Sequence, residues 1–319
     1  MAAAGSERLS VAVFSFNRGP YLAQCLASIA RHMPGVPVSV HDDNSTDPET
    51  CALLGRLDVP VIQPTRTGTT LLGGLYNNMQ AALDAARTEW IFFLQDDMQI
   101  VRDVGPEDYR CIAALFEADP TRAFVQPLFM KEALAAKFER ELVPLGSLRA
   151  YGRAPEIDRG RARYPYSDVS IAHVGRLRAA GWQFRQQERL CEDEARRLFS
   201  DMPFLGDPFA FYCPEVPCYR NRTRTLSGRI AGAVLDARTK GYHPMTADQI
   251  SALCARPIGR FPYAEDHLTP TDPNVRRPFV YQDFQARGWL RPLAEVERLW
   301  MSGRRRIRRW RDRLRRAPG

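Results

Sequence analysis

The feature that most restricts the fold is a regular alternation of short apolar runs and helically spaced segments between residues 9 and 130. The first pair shows the pattern, because residues 10–16 are apolar and partly β-branched, whereas Leu22, Cys25 and Ile29 recur at helical spacing. The predicted strands are almost continuously apolar, which is typical of strands covered on both faces. The alternation predicts βαβ units and an α/β fold with a mostly parallel sheet.

The other elements follow from the same reading. The sequence predicts strands at 36–41, 59–62, 90–94, 123–128 and 209–213, and helices at 71–86, 106–118, 174–184, 192–199, 228–238 and 247–255. Asp47-Pro48 predicts one further helix start, because aspartate caps a helix and proline fits its first turn. The pattern loosens after residue 145, so we predict three parts, at residues 1–145, 146–300 and 301–319.

The positive charge of the chain is concentrated near its end. Residues 304–316 carry nine arginines and one aspartate, so their net charge equals the +8 of the whole chain. A nearly neutral remainder argues against nucleic-acid binding by the folded part. Ile307, Trp310 and Leu314 form one stripe among Arg304–Arg316, which suits an anionic membrane surface, although a solvated basic end has the same composition.

Location is predicted from what the sequence lacks. It contains no run of about 18 apolar residues, and its first residues show no basic segment followed by an apolar one. Its seven cysteines are scattered and form no CxxC, which indicates reduced thiols. We therefore expect a cytoplasmic protein, with the basic tail as a peripheral contact to the inner face of the membrane.

Polar side chains follow three predicted strands at the point where each ends. Asn17 and Arg18 follow the first strand, residues 42–44 the second, and residues 95–97 the strand that begins at Trp90. The carboxyl ends of strands in an open α/β sheet form the edge where ligands bind. One such cluster is explained by turn formation alone, whereas three on one edge predict a binding site.

These clusters resemble the motifs of a known family. FSFNR at 14–18, HDDNSTD at 41–47 and QDD at 95–97 are similar, in order and spacing, to the motifs of GT-A glycosyltransferases of family 2. The resemblance covers residues 8–130. It implies a GT-A fold and the inverting transfer of a hexosyl or related group from a nucleoside-diphosphate sugar. The acceptor would be a hydroxyl group of a small molecule, a glycan or a lipid-linked compound, bound by residues 146–300.

The resemblance also implies a divalent cation. Asp97 falls on the metal-binding acid of the family's Asp-x-Asp motif, and Gln95 falls on the first acid. Mn²⁺ or Mg²⁺ prefers oxygen ligands and would stabilise the growing negative charge of the leaving diphosphate. Gln95 brings no charge, so the resemblance predicts weaker metal affinity than a complete Asp-x-Asp motif.

A nucleotide pocket is implied by the same three clusters. Asp43 would accept a hydrogen bond from the base, and Arg66 would lie near the base or the diphosphate. Asn17 and Arg18 would form the pocket wall. The full predicted set is Phe14, Phe16, Asn17, Arg18, Asp43, Arg66, Gln95 and Asp96.

Inverting transfer needs a general base, and two pairs of acids compete for that role. By resemblance, GWQF at 181–184 followed by CEDE at 191–194 marks Asp193 as the base, with Glu192 as the second choice. Acids are also favoured in a first helical turn by the helix dipole alone. Glu265 and Asp266, beside a histidine, form a rival pair.

Two other functions remain open from the sequence. A sugar-phosphate nucleotidyltransferase would show a glycine-rich segment after the first strand, which FSFNRGP lacks. A non-catalytic nucleotide-sugar or membrane-surface binding protein of the same fold is compatible with the neutral Gln95. A dinucleotide-dependent oxidoreductase is disfavoured because no GxGxxG follows the first strand.

Overall fold

The structure is a computed structural model, and it describes most of the chain. The described residues are 3–63, 74–146, 148–155, 164–217, 219–220, 223–224, 226–234, 239–279, 281, 292–297 and 299–300. Arg66 and the basic segment Arg304–Arg316 lie outside these ranges, so their predicted roles stay predictions.

Strands and helices alternate in the first part of the chain. The strands are β1 Leu9–Ser15, β2 Val38–Asp42, β3 Val61–Ile62, β4 Trp90–Gln95, β5 Met98–Ile100, β6 Phe124–Val125, β7 Leu142–Pro144, β8 Ala150–Arg153, β9 Ser170–His173, β10 Phe204–Leu205, β11 Ala210–Tyr212, β12 Tyr219–Arg220 and β13 Thr223–Arg224. The helices are α1 Gly19–His32, α2 Pro48–Leu54, α3 Gly74–Ala85, α4 Pro106–Glu117, α5 Ala135–Glu141, α6 Val174–Ala179, α7 Glu188–Leu198, α8 Leu226–Val234, α9 Ala247–Ala255 and α10 Ala264–His267.

Six strands form the central sheet, in the order β3-β2-β1-β4-β9-β6. β1 pairs in parallel with β2 and β4, and β2 pairs in parallel with β3. Only β9 runs against its two neighbours, β4 and β6, within this sheet. The sheet is therefore mostly parallel, and the predicted α/β fold class is confirmed.

The core lies on both faces of this sheet. Alternate residues of β4 point to opposite faces, so that Trp90 and Phe92 join one apolar cluster and Ile91 and Phe93 join the other. Helices α1 and α4 cover the first face, whereas α3, α6 and α7 cover the second. This burial on both sides explains why the strands read as continuous apolar runs.

The chain divides into two compact units. The first consists of Met1–Cys213 and Gly241–Phe279, and the second of Pro214–Lys240 and Val280–Gly319. The central sheet and all the loops discussed below belong to the first unit. None of the helices in the described ranges combines the length and apolar character that a bilayer crossing needs.

Candidate active site

The three polar clusters lie side by side at the carboxyl edge of the parallel strands. Backbone hydrogen bonds continue past the strand ends, because Asp43 N donates to Ser15 O at 2.9 Å and Asp96 N donates to Phe14 O at 2.9 Å. The loops after β1, β2 and β4 are thus held in register by the sheet itself. The edge that the sequence predicted as a binding site brings its three clusters together.

Asn17 fastens the loop after β1 to the loop after β2. Its Oδ1 accepts hydrogen bonds from Thr46 N at 2.7 Å and Asp47 N at 2.9 Å, and its own N–H donates to Ser45 Oγ at 2.8 Å. Asn17 has a φ of 53°, in the left-handed region that asparagine tolerates better than most residues. Asn17 therefore shapes the wall between the two loops.

The two neighbouring acids of the second loop have different environments. Asp42 is fully buried and holds the turn, since its carboxylate accepts from Ser45 N at 2.7 Å and from Gln63 Nε2 at 3.0 Å. Asp43 is only half-buried, and its carboxylate packs against the start of α3, where it would overlap a Cβ on Gly74. Of the two, Asp43 is the acid placed to meet a ligand, although its contact with a base stays a prediction.

The two predicted phenylalanines support this edge from below. Phe14 is buried, with its ring centroid 5.5 Å from that of His41 and 6.0 Å from that of Phe93. Phe16 is half-buried, and its N–H donates to Asp96 Oδ2 at 3.2 Å. Burial lowers the pKa of His41 to about 4, so the imidazole beneath the loops is neutral at pH 7.

Arg18 bridges the two adjacent aspartates after β4. Its guanidinium nitrogens lie 2.9 Å from Asp96 Oδ1 and 2.6 Å from Asp97 Oδ2. Asp96 is fully buried and also accepts from Ser15 Oγ at 3.0 Å. Burial raises the pKa of Asp96, and the charge of Arg18 opposes that rise. Asp96 is therefore a supporting group, and Asp97 is the acid that reaches the edge.

Asp97 is suited to supply an oxygen ligand to a cation. Its Oδ1 is buried and accepts no hydrogen bond from any described residue. Within the described ranges, no group of three acidic, histidine or cysteine side chains could hold an ion by itself. Mg²⁺ is commonly bound by one or two carboxylates together with substrate phosphates and water. Asp97 and the half-buried, neutral Gln95 fit such a site, in which the substrate supplies most of the ligands.

Asp168 lies at the same edge, and the sequence reading missed it. β9 is antiparallel to β4 and begins at Ser170, opposite Phe93, so Asp168 lies just before the end of β9 that adjoins the carboxyl end of β4. Its carboxylate oxygens accept hydrogen bonds from Tyr166 Oη at 2.6 Å and Tyr76 Oη at 2.9 Å. The missing information was the strand direction, because in an antiparallel strand the entry end, not the exit, lies at this edge.

Lys131 and Tyr212 also lie near Asp97. Tyr212 is opposite Met98 in the β11–β5 pair, and the N–H of the next residue donates to Asp97 O at 2.7 Å. The Lys131 ammonium lies 4.0 Å from the centroid of the Tyr212 ring. Burial lowers the pKa of Lys131, while the charges of Asp97, Glu188 and Glu265 oppose this change. A partly desolvated cation therefore lies within electrostatic reach of Asp97.

The helix with the predicted base begins earlier than the sequence indicated. α7 starts at Glu188 instead of residue 192, which places Glu192 and Asp193 in its second turn. Asp193 lies on the solvent side, where it accepts from Arg196 at 2.7 Å. Glu192 is half-buried, and burial followed by the charges of Glu188 and Asp193 raises its pKa. The catalytic roles of Asp193 and Glu192 stay predictions.

The rival pair has a structural environment. Glu265 is fully buried, and its carboxylate accepts from Phe279 N at 2.8 Å and Glu132 N at 3.2 Å. Asp266 is exposed and lies 3.9 Å from Arg277. Glu265 thus connects two backbone segments, and the catalytic roles of Glu265 and Asp266 stay predictions.

Comparison with known proteins agrees with this geometry over part of the chain. Residues 10–126 match the family described as glycosyl transferase family 2. No curated protein matches the chain significantly. The matched range is less than half of the chain, but it contains all three loops of the candidate site.

Several solved structures resemble the chain weakly. S. aureus TarS 1-349 is 22% identical with a TM-score of 0.43, and the alignment covers 64% of this chain and 60% of that one. The same protein in complex with UDP-GlcNAc gives 19% identity and a TM-score of 0.47, with coverage of 78% and 70%. The mannosyltransferase PcManGT from Pyrobaculum calidifontis, in complex with GDP-Man and Mn²⁺, gives 18% and 0.40, with coverage of 59% and 50%.

The chain spans about 60% of the length of the first of these structures. At such identities and TM-scores, none of them decides a donor, a metal or an acceptor. The family match is the stronger finding, because it falls on the residues that form the site. The resemblance to the family 2 glycosyltransferases that the three motifs predicted is confirmed over residues 10–126.

Proposed function

We propose that this chain is a glycosyltransferase that moves a sugar from a nucleoside-diphosphate sugar to a hydroxyl acceptor, with a divalent cation and with inversion at the anomeric carbon. The observation that carries the proposal is the buried Oδ1 of Asp97, which lacks a hydrogen-bond partner among the described residues, inside a range that matches the family. Arg18 satisfies Oδ2 alone, and a buried carboxylate oxygen such as Oδ1 costs stability while it has no partner. A cation is the partner that the chemistry of a diphosphate leaving group supplies.

The residues of the chain divide the work between binding and charge control. Asp43 and the wall around Asn17 would hold the nucleoside, and Asp97 with Gln95 would face the diphosphate. Arg18 compensates the negative charge of the two aspartates and keeps Asp97 in place through the contact at 2.6 Å. When bound, the cation would draw negative charge from the departing phosphate oxygen.

Loss of Asp97 is the direct test of this proposal. We expect Asp97→Ala to lower Mn²⁺-dependent release of nucleoside diphosphate from the donor at least about 100-fold, because a metal ligand is at least as important as the groups around it. The measurement is donor hydrolysis with a panel of UDP- and GDP-sugars. Asp103→Ala is the matched control, since the Asp103 side chain is 81% exposed.

Nucleotide binding separates the proposal from its alternatives. UDP, GDP, TDP and CDP with Mn²⁺ should raise the melting temperature of the wild-type protein for at least one base, by an amount that corresponds to about 2.7 kcal/mol at a hundredfold excess over Kd. Binding without any hydrolysis or transfer would favour the non-catalytic binding protein. Product formation from a sugar phosphate and a nucleoside triphosphate would favour the nucleotidyltransferase.

Membrane association is a finer part of the proposal. In the second unit, Val296, Leu299 and Trp300 are 64%, 69% and 60% exposed, in helical residues 292–297 and 299–300. Their spacing gives one apolar face just before the basic Arg304–Arg316. Sedimentation with anionic vesicles should carry the full chain down at low salt, and release at high salt would identify charge as the main attraction. Equal sedimentation with neutral vesicles would contradict this part.

A further inference from the structure

Arg18 is held at two points between the acids that follow β4. One nitrogen of its guanidinium lies 2.9 Å from Asp96 Oδ1, and another lies 2.6 Å from Asp97 Oδ2. The side chain of Arg18 is 19% exposed and that of Asp97 is 15% exposed, whereas Asp96 is fully buried. A guanidinium that left this place would leave a largely buried pair of acids without its positive partner, which is costly. Arg18 is therefore a fixed positive charge beside the candidate cation ligand.

Asp96 anchors this charge and is not itself placed to meet a ligand. Its Oδ2 accepts hydrogen bonds from Ser15 Oγ at 3.0 Å and from Phe16 N at 3.2 Å, and its Oδ1 faces Arg18. Both oxygens of the buried acid are thus directed at groups of the protein. The task of Asp96 is to hold the guanidinium against Asp97.

Asp97 offers a cation one oxygen and little net charge. Its Oδ2 is paired with Arg18, whereas its buried Oδ1 accepts no hydrogen bond within the described part of the chain. Two acids and one arginine give the three side chains a net charge of −1 when both acids are ionised, and Gln95 adds none. A divalent cation at Oδ1 would also be repelled by the guanidinium at the other oxygen of the same carboxylate. The protein alone therefore supplies too little negative charge to bind such an ion tightly.

We propose that Arg18 makes cation binding depend on the nucleoside diphosphate, so that the protein takes up the ion together with the diphosphate and not before it. This inference rests on the proposed function. A diphosphate brings negative oxygens of its own, which Mg²⁺ and Mn²⁺ accept as ligands beside one or two carboxylates. Those charges offset the repulsion by Arg18. Coupling between two ligands is reciprocal, so Mn²⁺ should strengthen nucleotide binding by the same factor.

Mn²⁺ alone is the first probe. Electron paramagnetic resonance measures the free ion as Mn²⁺ is added to the wild-type protein, without nucleotide and then with saturating UDP or GDP, whichever raises the melting temperature. Binding of Mn²⁺ by the nucleotide itself is measured without protein and subtracted. The nucleotide should lower the Kd for Mn²⁺ at least about tenfold. Equal affinity in the two titrations overturns the inference.

A charge-matched double variant tests the part played by Arg18. Arg18→Met/Asp96→Asn removes one positive and one negative charge, so the net charge of the three side chains stays at −1. Asp97 Oδ2 loses its guanidinium partner, and Mn²⁺ alone should bind at least about tenfold more tightly than to the wild type. Asp96→Asn alone keeps Arg18 and should not strengthen this binding.

Two further variants separate the charge of Arg18 from its structural role. Arg18→Lys keeps the positive charge, so Mn²⁺ without nucleotide should bind as weakly as to the wild type. Arg110→Met is the control for loss of an arginine, because the Arg110 side chain is 69% exposed in α4, and it should leave Mn²⁺ binding unchanged. Tighter binding to Arg18→Lys, or unchanged binding to the double variant, overturns the inference. If circular dichroism shows that the double variant is unfolded, the wild type and Arg18→Lys decide.

Failure of this inference differs from failure of the proposed function. If the wild-type protein binds no nucleoside diphosphate with or without Mn²⁺ and hydrolyses no donor, the proposed function fails, and this inference falls with it. If the wild type hydrolyses a donor but binds Mn²⁺ equally well with and without nucleotide, only this inference fails. The same holds if the double variant hydrolyses the donor while its affinity for Mn²⁺ alone equals that of the wild type.

Discussion

Two regions of the first unit meet at the candidate site and are built in different ways. The motif region, residues 14–18, 42–47 and 95–97, ties its polar side chains to one another, as Asn17 does through two backbone N–H groups. The return region, residues 164–198, holds Asp168 through a distant element, because Tyr76 of α3 donates a hydrogen bond to its carboxylate. The motif region is held by hydrogen bonds among its own residues, whereas the position of Asp168 in the return region depends on how α3 and the antiparallel β9 pack.

The largest loss of stability should come from replacing Arg18, the positive charge at the centre of the motif region. Arg18→Met should lower the free energy of unfolding by about 3–5 kcal/mol, because it leaves the fully buried Asp96 without its positive partner. Chemical denaturation measures this loss. The double variant Arg18→Met/Asp96→Asn should recover much of it, and additive losses would show that the two side chains are not coupled.

His41, which lies beneath the loops of the motif region, should make the free energy of unfolding depend on pH. The folded pKa of His41 is about 4, below the ordinary value of 6.5, so the unfolded chain takes up the proton first as the pH falls. Stability from this group is complete above pH 6.5 and is lost progressively down to about pH 4, by up to about 3 kcal/mol. The free energy of unfolding, measured by chemical denaturation at several pH values, should fall more steeply for the wild type than for His41→Phe over this window. An equal pH dependence for the two proteins would contradict the burial of a neutral His41.

Loss of the hydrogen bonds that Asn17 makes between the first two loops should have a medium effect on the free energy of unfolding. Asn17→Gly keeps the left-handed backbone but removes both accepted hydrogen bonds, which should cost about 2 kcal/mol. Asn17→Ala should cost about 1 kcal/mol more, because alanine is strained at a φ of 53°. Equal losses for the two variants would mean that the loop relaxes and is not rigid.

The return region should respond least to a comparable change. Tyr76→Phe removes one of the two tyrosine hydroxyls that hold Asp168, which should cost about 1 kcal/mol, measured by urea denaturation. Tyr166→Phe is the companion variant at the other carboxylate oxygen. If either variant lowered the free energy of unfolding as much as Asn17→Ala does, the contrast between the hydrogen-bonded motif region and the return region would not hold.

The sequence predicted what local interactions determine. The helix predicted at 247–255 has these bounds in the structure, where Thr246 and Gln249 form a reciprocal capping box at its start. The start of α7 was misplaced by four residues because Gln187, which precedes it, makes no side-chain capping bond that a pattern could reveal. The strand ends of the motif region were recognisable because the polar residues directly follow apolar runs.

The acids of the return region needed three-dimensional information. Asp168 precedes its strand, and the antiparallel pairing of Ser170 with Phe93 places it near the edge that carries the candidate site. Lys131 and Tyr212 are far apart in the sequence, yet the Lys131 ammonium lies 4.0 Å from the centroid of the Tyr212 ring. Glu188 falls outside the predicted helix, which begins at residue 192, but it is the first residue of α7 in the structure.

The contact between Gly74 and Asp43 has a practical consequence for protein engineering. The carboxylate of Asp43 fills the volume in which any side chain at residue 74 would begin. A single methyl group introduced there would push the carboxylate aside while the strands below stay paired. If Asp43 contacts the base, as the resemblance predicts, a substitution at residue 74 should alter nucleotide binding through the displaced carboxylate, without a change in any of the three motifs.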